Sequence, residues 1–547
     1  MLNKKWPFFP RFFVFSISCL AFFGCANRQL PQGGPRDLTP PKLLKSSPVN
    51  MTRNFKSKEI VLEFDEFFKL SNQYQEISMS PTPEKLPEYN IRKKNLVIDF
   101  KDTLQKNTTY VINFGKAIMD VNESNILKNF TYVFSTGSHI DSLSISGNVM
   151  NTQTQEREKE ATVLLFTLKE DSLLFGKKKP TIYTSTDTAG NFTFNNLHDG
   201  DYRIYALKEA SPNKIYDNDN ELIAFSKNVI HLNKDTSNIV LTLFKQTAQK
   251  FRLVDRRFDP DGKMFFTFNR KLDKPSLKII YPAALDNQRI TDISKTKDTA
   301  IVYMRNMDFD SVRVAFYDNG KPLDSVSLRK GRKESFQRTL SFEYNVSFDG
   351  KLRPADELHI KAKYPIENFD PALISLKEDS TDVSNFTLQK DTGNLRLFTF
   401  KFKWRQNSNY ALVFNEGAFT DIYGDKNKRI LKRFQLDKTE NYSLLTLKIQ
   451  VPDTSKAYVV EVLNDQKAIL RADAISKNTT LQYKNTLTGK YTIRVVYDQN
   501  RNGRWDSGNV KLKLQPENIW VDEQVITLRP NWEDEHSIII PKEPSTP

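Results

Sequence analysis

The feature that most constrains the fold is a two-residue alternation of apolar and other side chains, which recurs along the chain. It is seen in residues 58–68 (KEIVLEFDEFF), 109–114 (TYVINF) and 491–498 (YTIRVVYD). Because successive side chains of a strand point to opposite faces, this period predicts strands that bury one face. Turn signals such as Asp259-Pro260-Asp261-Gly262 separate the runs, and amphipathic helical stretches are nearly absent. The sequence therefore predicts an all-β chain of serial sandwich-like modules.

An internal duplication organises these modules. Residues 109–134 match residues 409–434, and residues 200–221 match residues 489–510 in the same order. In the first match the aligned pairs are Tyr110 and Tyr410, Phe114 and Phe414, Ala117 and Ala418, Asp120 and Asp421, and Phe134 and Phe434. In the second they are Gly200 and Gly489, Tyr202 and Tyr491, Ile204 and Ile493, Asn213 and Asn502, Tyr216 and Trp505, Asp217 and Asp506, and Asn220 and Asn509. The simplest explanation is a duplicated two-module block, type A followed by type B, with one extra β-domain between the copies.

The N-terminus explains the cysteines, which are Cys19 and Cys25 alone. A basic start is followed by an apolar stretch over residues 12–23 and then by Gly24-Cys25. This segment resembles a bacterial lipoprotein signal, which implies cleavage after residue 24 and a lipid on Cys25. The alternative is an ordinary cleaved signal in which Cys25 is an incidental thiol. Either way the body of the protein has no thiol, which excludes internal disulfides, cysteine-ligated metals and a cysteine nucleophile.

Residues 25–40 follow as a polar segment rich in Pro and Gly, without apolar periodicity, and they predict a flexible tether. No later segment approaches 18 consecutive apolar residues, the length that a transmembrane helix needs. The expected arrangement is a globular body held at a membrane surface by a lipid.

Two module types resemble known families. Residues 39–70 and 108–125 are similar to bacterial Ig-like domains of S-layer-type and other envelope proteins, and the matching positions are Pro48, Asn50, Phe64, Asp65, Tyr110 and Asp120. The type B modules, with GNFTFNNLHDGDYRIYAL and LTGKYTIRVVYDQNRNGRWD, resemble transthyretin-like or carboxypeptidase-regulatory-like β-sandwiches. Together they resemble Gram-negative, Bacteroidota-type outer-membrane lipoproteins. Folds of this kind serve many functions, so the resemblance implies a class and no activity.

These features predict a signal peptide, a tether and five modules. The signal peptide covers residues 1–24 and the lipid-anchored tether covers 25–40. The modules are a bacterial Ig-like domain at 41–138, a transthyretin-like or regulatory-like sandwich at 139–247, a sandwich of unassigned type at 248–340, a second Ig-like domain at 341–440 and a second transthyretin-like sandwich at 441–547.

The strongest chemical signal is the loop from Asp498 to Asp506. Oxygen donors at Asp498, Asn500, Asn502 and Asp506, with Gly503 at the sixth position, copy the first part of an EF-hand calcium loop. Oxygen-rich spacing suits a hard cation, so calcium is the one cofactor the sequence suggests. The bidentate Glu expected at position 12 is absent, and three arginines lie nearby. The alternative is a tight hairpin in which the same side chains cap backbone amides.

Catalytic motifs are not found. The five histidines include no HExxH pair, and the sequence has no GxSxG elbow and no Gly-rich phosphate loop. Adjacent acids, as in residues 217–221 and 533–535, fall in expected turns and edges and do not show the facing geometry of a glycosidase. We therefore expect no enzymatic activity and no catalytic residue.

A second pattern is the triplet Asp-Ser/Thr-apolar. It resembles the acceptor of a bacterial periplasmic O-glycosylation system, and it is equally typical of a turn that leads into a strand. The triplets begin at Asp102, Asp141, Asp171, Asp187, Asp298, Asp310 and Asp324.

The charge favours envelope partners. The formal net charge is +15, with basic residues spread over all modules and no nucleic-acid-binding motif. We expect no nucleic-acid partner, and attraction to anionic headgroups, lipopolysaccharide or acidic proteins instead. Lysines that protect strand edges explain much of the same charge.

The predicted function is a non-catalytic, lipid-anchored envelope protein that acts as a scaffold or accessory subunit of an outer-membrane protein complex. The lipid on Cys25 would hold it at the outer membrane, with the periplasmic and surface faces left open. One alternative is a carbohydrate- or polymer-binding lipoprotein for uptake, with Trp505, Trp520 and Trp532 as candidate aromatics. Another is a hydrolase whose cleft the sequence does not reveal.

Overall fold

The computed structural model describes residues 37–170, 179–210, 213–218, 220–330, 336–354 and 356–544. Most of the regular structure there is β-strand, which confirms the predicted all-β fold class. The strands are accompanied by a short α-helix, α1 (Gln73–Glu76), and by 3-10 turns at Ala283–Gln288, Pro371–Leu373 and Thr439–Asn441. The predicted signal peptide, Cys25 and most of the tether lie outside the described residues. Within the described ranges we find no helix with the length and apolar character of a membrane span.

The chain divides into two compact units, residues 1–141 and 142–547. We name the strand groups as blocks and describe each unit by itself. The first unit contains block A1 (residues 43–135). The second contains block B1 (143–245), block C (253–329), block A2 (342–436) and block B2 (442–539).

Block A1 contains nine strands in three sheets. Their order is β1-β2-β6-β5, β4-β7-β9 and β3-β8. As the alternation predicts, Ile60, Leu62 and Phe64 of β2 are fully buried, and Tyr110 and Ile112 of β7 join the same core. The strands are β1 (Leu43–Ser47), β2 (Glu59–Phe64), β3 (Phe68–Leu70), β4 (Ser78–Ser80), β5 (Glu88–Arg92), β6 (Asn95–Asp99), β7 (Thr109–Asn113), β8 (Ile118–Asp120) and β9 (Thr131–Ser135).

Block B1 is built around one long sheet in the order β12-β11-β14-β15-β17-β10-β13, with β16 paired to β14. Strands β10 and β17, the first and last of the block, pair in parallel. The strands are β10 (Leu143–Asn151), β11 (Thr162–Thr167), β12 (Ile182–Ser185), β13 (Asn191–Leu197), β14 (Gly200–Lys208), β15 (Leu222–Phe225), β16 (Ile230–Leu232) and β17 (Thr236–Lys245).

Block C has two sheets, in the orders β18-β19-β22-β21 and β20-β23-β24. The predicted turn at residues 259–262 connects β18 to β19. A separate apolar core fills the block. The strands are β18 (Leu253–Phe258), β19 (Met264–Phe268), β20 (Pro275–Tyr281), β21 (Arg289–Ile293), β22 (Thr299–Met304), β23 (Ser311–Asp318) and β24 (Lys321–Arg329).

Block A2 repeats the small-sheet design of A1, with the orders β25-β27-β32-β31, β26-β35-β33-β29-β30 and β28-β34. Its core is the largest of the chain's apolar clusters, and it includes Tyr303 of block C. The strands are β25 (Phe342–Tyr344), β26 (Lys351–Leu352), β27 (Leu358–Ala362), β28 (Ile366–Phe369), β29 (Ile374–Glu378), β30 (Thr381–Val383), β31 (Thr387–Lys390), β32 (Leu397–Lys401), β33 (Asn409–Phe414), β34 (Phe419–Asp421) and β35 (Ile430–Leu436).

Block B2 has two sheets, β39-β36-β43 and β38-β37-β40-β41, with β42 paired to β40. As in B1, the first and last strands, β36 and β43, pair in parallel. The strands are β36 (Tyr442–Gln450), β37 (Ala457–Asn464), β38 (Ile469–Ile475), β39 (Thr479–Leu487), β40 (Gly489–Asp498), β41 (Ile519–Val521), β42 (Ile526–Leu528) and β43 (Glu533–Ile539).

The predicted duplication is confirmed down to single hydrogen bonds. In the A blocks the Tyr110 hydroxyl accepts the backbone N–H of Gln105 (2.9 Å), and the Tyr410 hydroxyl accepts that of Arg405 (2.6 Å). Both tyrosines stack on a phenylalanine of the neighbouring strand, at centroid distances of 5.4 and 5.6 Å. Each repeated tyrosine therefore joins its strand to the preceding turn in the same way.

The B blocks repeat with the same fidelity. The Tyr202 hydroxyl donates to the carbonyl of His198 (3.0 Å), and the Tyr491 hydroxyl donates to that of Leu487 (2.6 Å). Gly200 pairs with Leu232 across the sheet, and the equivalent Gly489 and Leu528 pair in B2. These pairings agree between the two copies, which differ in that β15 also pairs with β17 in B1 and so joins its strands into one sheet.

Candidate functional site

The predicted calcium loop connects β40 to β41 in block B2. Asp498 ends β40 and is buried. Its carboxylate accepts the backbone N–H groups of Asn502 (3.1 Å) and Gly503 (2.8 Å). Gly503 has a φ of 73°, in the left-handed region that glycine adopts without strain. The side-chain amides of Asn500 and Asn502 both donate to Oδ2 of Asp506, the second at 2.5 Å. The four predicted residues therefore meet in one loop.

A residue that the sequence motif did not indicate closes this loop. The buried Glu517 carboxylate accepts the backbone N–H groups of Gln499 (2.8 Å) and Asp506 (2.9 Å), and its carbonyl accepts the indole N–H of Trp505 (3.0 Å). Burial raises the pKa of Glu517 above its usual value. Because Glu517 lies 11 positions after Asp506, no local spacing rule pointed to it.

In the structure the loop's carboxylates are already engaged by amides. A calcium ion would have to replace the contacts between Asp506 and the two asparagine amides before it could use that oxygen. Across the described ranges, no three His, Cys, Asp or Glu side chains are grouped so as to hold a metal ion. Calcium binding at Asp498, Asn500, Asn502 and Asp506 stays a prediction, and so does the alternative of a capped hairpin.

Block B1 carries the same loop between β14 and β15. The Glu209 carboxylate accepts the backbone N–H groups of Asn213 (2.9 Å) and Lys214 (3.0 Å). The Asn213 side-chain amide donates to Asp217 (2.9 Å), and Glu221 accepts the Asp217 N–H (3.3 Å). Each of these four contacts has a counterpart in the B2 loop, so the two loops share a hydrogen-bonded framework.

The loops differ in length after the shared aspartate. Glu221 follows Asp217 by four positions, whereas Glu517 follows Asp506 by 11 positions. The sequence alignment of Asn220 with Asn509 therefore does not hold, because Asn509 lies in the additional segment. We call residues 507–516 the B2 insertion.

The B2 insertion docks on block B1. The Ser507 hydroxyl donates to the carbonyl of Lys245 (2.5 Å), and the Val510 N–H donates to the side-chain carbonyl of Gln246 (2.8 Å). The Gln515 side chain donates to the carbonyl of Phe225 (2.7 Å). A turn closed by N–H bonds between Asn509 and Leu514 in both directions shapes the insertion.

Apolar packing seals this contact. Val510 is 2% exposed and belongs to a cluster otherwise made of B1 residues. Gly508 allows the close approach, since a Cβ there would lie 2.8 Å from Cζ of Phe244. The Lys513 ammonium lies 4.7 Å from the centre of the Tyr205 ring, a cation–π contact. Hydrogen bonds, apolar packing and a cation–π contact thus join block B2 to block B1.

Block C and block A2 are joined in the same manner. The buried Asp261 accepts the Tyr364 hydroxyl (3.1 Å), and its carbonyl accepts the guanidinium of Arg338 (3.0 Å). Arg396 pairs with Asp292 across the two blocks and is itself buried. The predicted turn at residues 259–262 therefore serves as a contact between blocks.

An aromatic groove lies in block A2. It has a volume of about 530 Å³, and its walls include Phe402, Trp404, Lys401, Lys403, Asp356, Glu357 and Leu436. Trp404 is not among the candidate aromatics that the sequence suggested. It is half-buried and packs edge-on against Tyr410, with 4.9 Å between the ring centres. Its sequence pattern is an alternation of Phe and Trp at the end of a strand. Strands that pack into a core show the same pattern, so the sequence alone does not indicate a groove.

The three tryptophans selected from sequence have different surroundings. Trp505 and Trp520 are half-buried and pack against apolar clusters of B2 and its contact with B1. Trp532 is 56% exposed, with the guanidinium of Arg529 5.3 Å from its ring centre. The structure does not bring the three together in one described pocket.

Most of the described Asp-Ser/Thr triplets fall at turns and strand starts, and the triplet at Asp324 lies inside β24. The hydroxyl-bearing residues Thr103, Ser142 and Thr188 are exposed, whereas Thr299, Ser311 and Ser325 are half-buried. The triplet at Asp171 lies outside the described residues. Glycosylation of these positions stays a prediction that the intact mass of the mature protein would test.

Comparison with known proteins identifies one module. Residues 37–136 match the family described as bacterial Ig-like domain, which confirms the predicted Ig-like domain in block A1. No curated protein matches the chain.

Solved structures give only distant likenesses. The Bacillus anthracis TIE protein is 10% identical over 93% of this chain and 75% of its own, with a TM-score of 0.14. Domains 1–6 of the surface layer protein SbsC are 11% identical over 89% and 67%, with a TM-score of 0.15. SGBP-B of a Bacteroides ovatus mixed-linkage glucan utilization locus is 11% identical over 63% and 86%, with a TM-score of 0.17. At these scores the likenesses carry no argument, and the identified relationship is that of residues 37–136 with bacterial Ig-like domains.

Proposed function

We propose that this chain is a non-catalytic cell-envelope protein, anchored by a lipid on Cys25, that acts as a scaffold or accessory subunit of an outer-membrane protein complex. The N-terminal signal with Gly24-Cys25 and the tether support export and anchoring. The bacterial Ig-like match in residues 37–136 supports a place in the envelope.

One observation carries the scaffold proposal: the B2 insertion holds block B2 on block B1. Val510 and Gln246 are separated by 264 positions in sequence, yet they share a hydrogen bond, and Val510 packs into an apolar cluster of B1. Because this contact holds B1 and B2 together, the exposed strand edges of these two blocks stay at a fixed spacing. Fixed spacing is what a scaffold needs in order to hold several partners at once.

The anchor is tested by fractionation. In Cys25→Ala cells the protein should leave the membrane fraction and become soluble, whereas Cys19→Ala should stay membrane-bound. Membrane retention of the Cys25→Ala protein would overturn the anchor. The scaffold is tested by affinity purification from detergent-solubilised membranes, which should recover a stable complex with outer-membrane proteins.

The aromatic groove in block A2 favours a second candidate, a carbohydrate-binding lipoprotein. Aromatic faces that stack on sugars, flanked by charged groups that bind hydroxyls, are the parts such a site requires. Phe402 and Trp404 supply the aromatic faces. The charged groups are those of Asp356, Glu357 and Lys403. Retention on glycan columns that Trp404→Ala abolishes, with no protein partner recovered, would favour this function over the scaffold.

A further inference from the structure

A small apolar pocket lies in block B2 beside strand β38. Its volume is about 100 Å³. Leu445 and Val462 form buried walls, and Leu470 and Leu487, 44% and 39% exposed, lie at its rim. An apolar cavity of about 150 Å³ accepts a benzene molecule, so this pocket has room for one aliphatic side chain.

Two arginines line the same pocket. Arg353 comes from block A2 and Arg471 from β38, and both are exposed. Neither has an ion-pair partner in the part of the chain that the structure describes. The neighbouring Asp473 carboxylate accepts the Tyr483 hydroxyl at 2.7 Å. A guanidinium binds a carboxylate through two parallel hydrogen bonds, so this pair is suited to acidic side chains.

The pocket adjoins an open edge of the sheet. Strand β38 is the first in the order β38-β37-β40-β41, and it pairs with β37 alone within the described ranges. Backbone N–H and C=O groups on its outer side can therefore pair with an added extended segment. An apolar pocket and a charged rim beside such an edge are the parts that recognise alternate side chains of that segment.

We propose that this pocket binds an extended acidic segment of a partner protein, with one aliphatic side chain in the pocket and the carboxylates two positions before and after it on Arg353 and Arg471. The proposal deepens the scaffold function and rests on it for the partner's existence. Charge complementarity decides the occupant, because two guanidinium groups flank the pocket and an acidic segment neutralises both.

A synthetic peptide with the sequence Asp-Thr-Leu-Thr-Glu, whose Asp, Leu and Glu side chains share one face when it is extended, tests the proposal, with the purified full chain and fluorescence anisotropy as the readout. We expect micromolar binding that the paired variant Arg353→Gln/Arg471→Gln weakens by about tenfold or more. The peptides Asn-Thr-Leu-Thr-Gln and Asp-Thr-Ala-Thr-Glu should lose affinity to a similar degree. The matched control is Arg92→Gln/Arg433→Gln, two exposed arginines outside the pocket, which should bind as the wild type does.

Three results would overturn the proposal. One is no binding of the acidic peptide, and another is equal binding by wild type and the paired variant. The third is binding of anionic phosphatidylglycerol vesicles, lost in the paired variant, with no peptide binding, since the arginines would then serve a lipid surface.

The scaffold function fails separately from this site. If a membrane complex is recovered equally with wild type and with Arg353→Gln/Arg471→Gln, the scaffold stands and the pocket is not its docking site. If no complex is recovered but the peptide binds with the expected sensitivities, the pocket stands and the scaffold does not.

Discussion

The loop after β14 in block B1 and the loop after β40 in block B2 begin with the same contacts and end in different roles. In both, an acidic residue caps two backbone amides, and the fifth residue after it has a positive φ, 65° at Lys214 and 73° at Gly503. Only the B2 copy then carries the insertion that reaches the other block. A duplicated loop has thus kept its internal framework while one copy has acquired a contact between blocks.

The comparison separates the residues that close each loop from the residues that were added in B2 and contact B1. The capping acids and the buried glutamates close each loop on its own sheet, so they are needed in both copies. The B2 insertion makes contacts with B1, and the B1 loop is seven residues shorter at the same place. Substitutions of the capping acids and the buried glutamates should lower the stability of the block that carries them. Substitutions in the B2 insertion should lower the stability of both B1 and B2.

The largest effect is expected from Gly508→Ala. The new Cβ would lie 2.6 Å from the Leu514 carbonyl oxygen and 2.8 Å from Phe244, so the insertion must shift away from B1. We expect a loss of about 2–4 kcal/mol in the local free energy of unfolding, measured by hydrogen exchange over residues 505–515. Gly393→Ala, where the nearest atom is 3.5 Å away, is the control. Unchanged protection in the Gly508 variant would show that the docking is not tight.

The next comparison is Glu517→Ala with Glu221→Ala. Both carboxylates are buried, but Glu517 accepts its two N–H groups at 2.8 and 2.9 Å, and Glu221 accepts its two at 3.3 and 3.4 Å. Each variant leaves two amides unsatisfied, so we expect losses of about 2 kcal/mol in B2 and about 1 kcal/mol in B1. Hydrogen exchange of the strands that flank each loop gives both values. Equal losses would contradict the inferred difference in bond strength.

A smaller effect is expected from pH. Burial raises the pKa of Glu517, so the folded chain holds this proton at a pH where the unfolded chain has released it. Wild type should therefore gain stability relative to Glu517→Gln as the pH falls from 7 through the folded-state pKa. Denaturation midpoints at pH 7 and pH 5 measure the difference. The exposed Glu523→Gln should follow wild type, and parallel curves for all three proteins would contradict the prediction.

The smallest expected signal is the heat of calcium binding. If the B2 loop binds calcium, titration with millimolar calcium should release or absorb heat that Asp506→Ala loses and Asp217→Ala keeps. The B1 loop should not contribute, because Lys214 places a cation where B2 has Gly503. No heat from wild type would remove the calcium site and leave the capped hairpin.

Local pattern sufficed for the strands and for the duplication. The alternation placed Ile60, Leu62 and Phe64 on one buried face, and the aligned Tyr110 and Tyr410 make equivalent hydrogen bonds. The buried face and the tyrosine contacts each involve residues a few positions apart or on one adjacent strand. Over this range the periodicity of a sequence predicts structure.

Long-range contacts could not be predicted in this way. Nothing in the spacing around Val510 indicates that it enters a B1 core, and β40 was expected to bury one face only. In the structure Arg494 and Val496, on the other face of β40, are also buried. The candidate loop residues were found because their spacing is local, whereas Glu517, Trp404 and the pair Arg353 and Arg471 acquire their roles from strands brought together by folding.

The B2 insertion has a consequence for the order of folding. During synthesis from the N-terminus, B1 is complete about 260 residues before Val510 arrives to cover its outer cluster. The apolar side chains of that cluster, among them Phe166 and Phe244, stay less protected over that interval. Contacts so distant in sequence form late and leave apolar surface open to misassembly, so the chain should depend on a holding chaperone until its last block has folded.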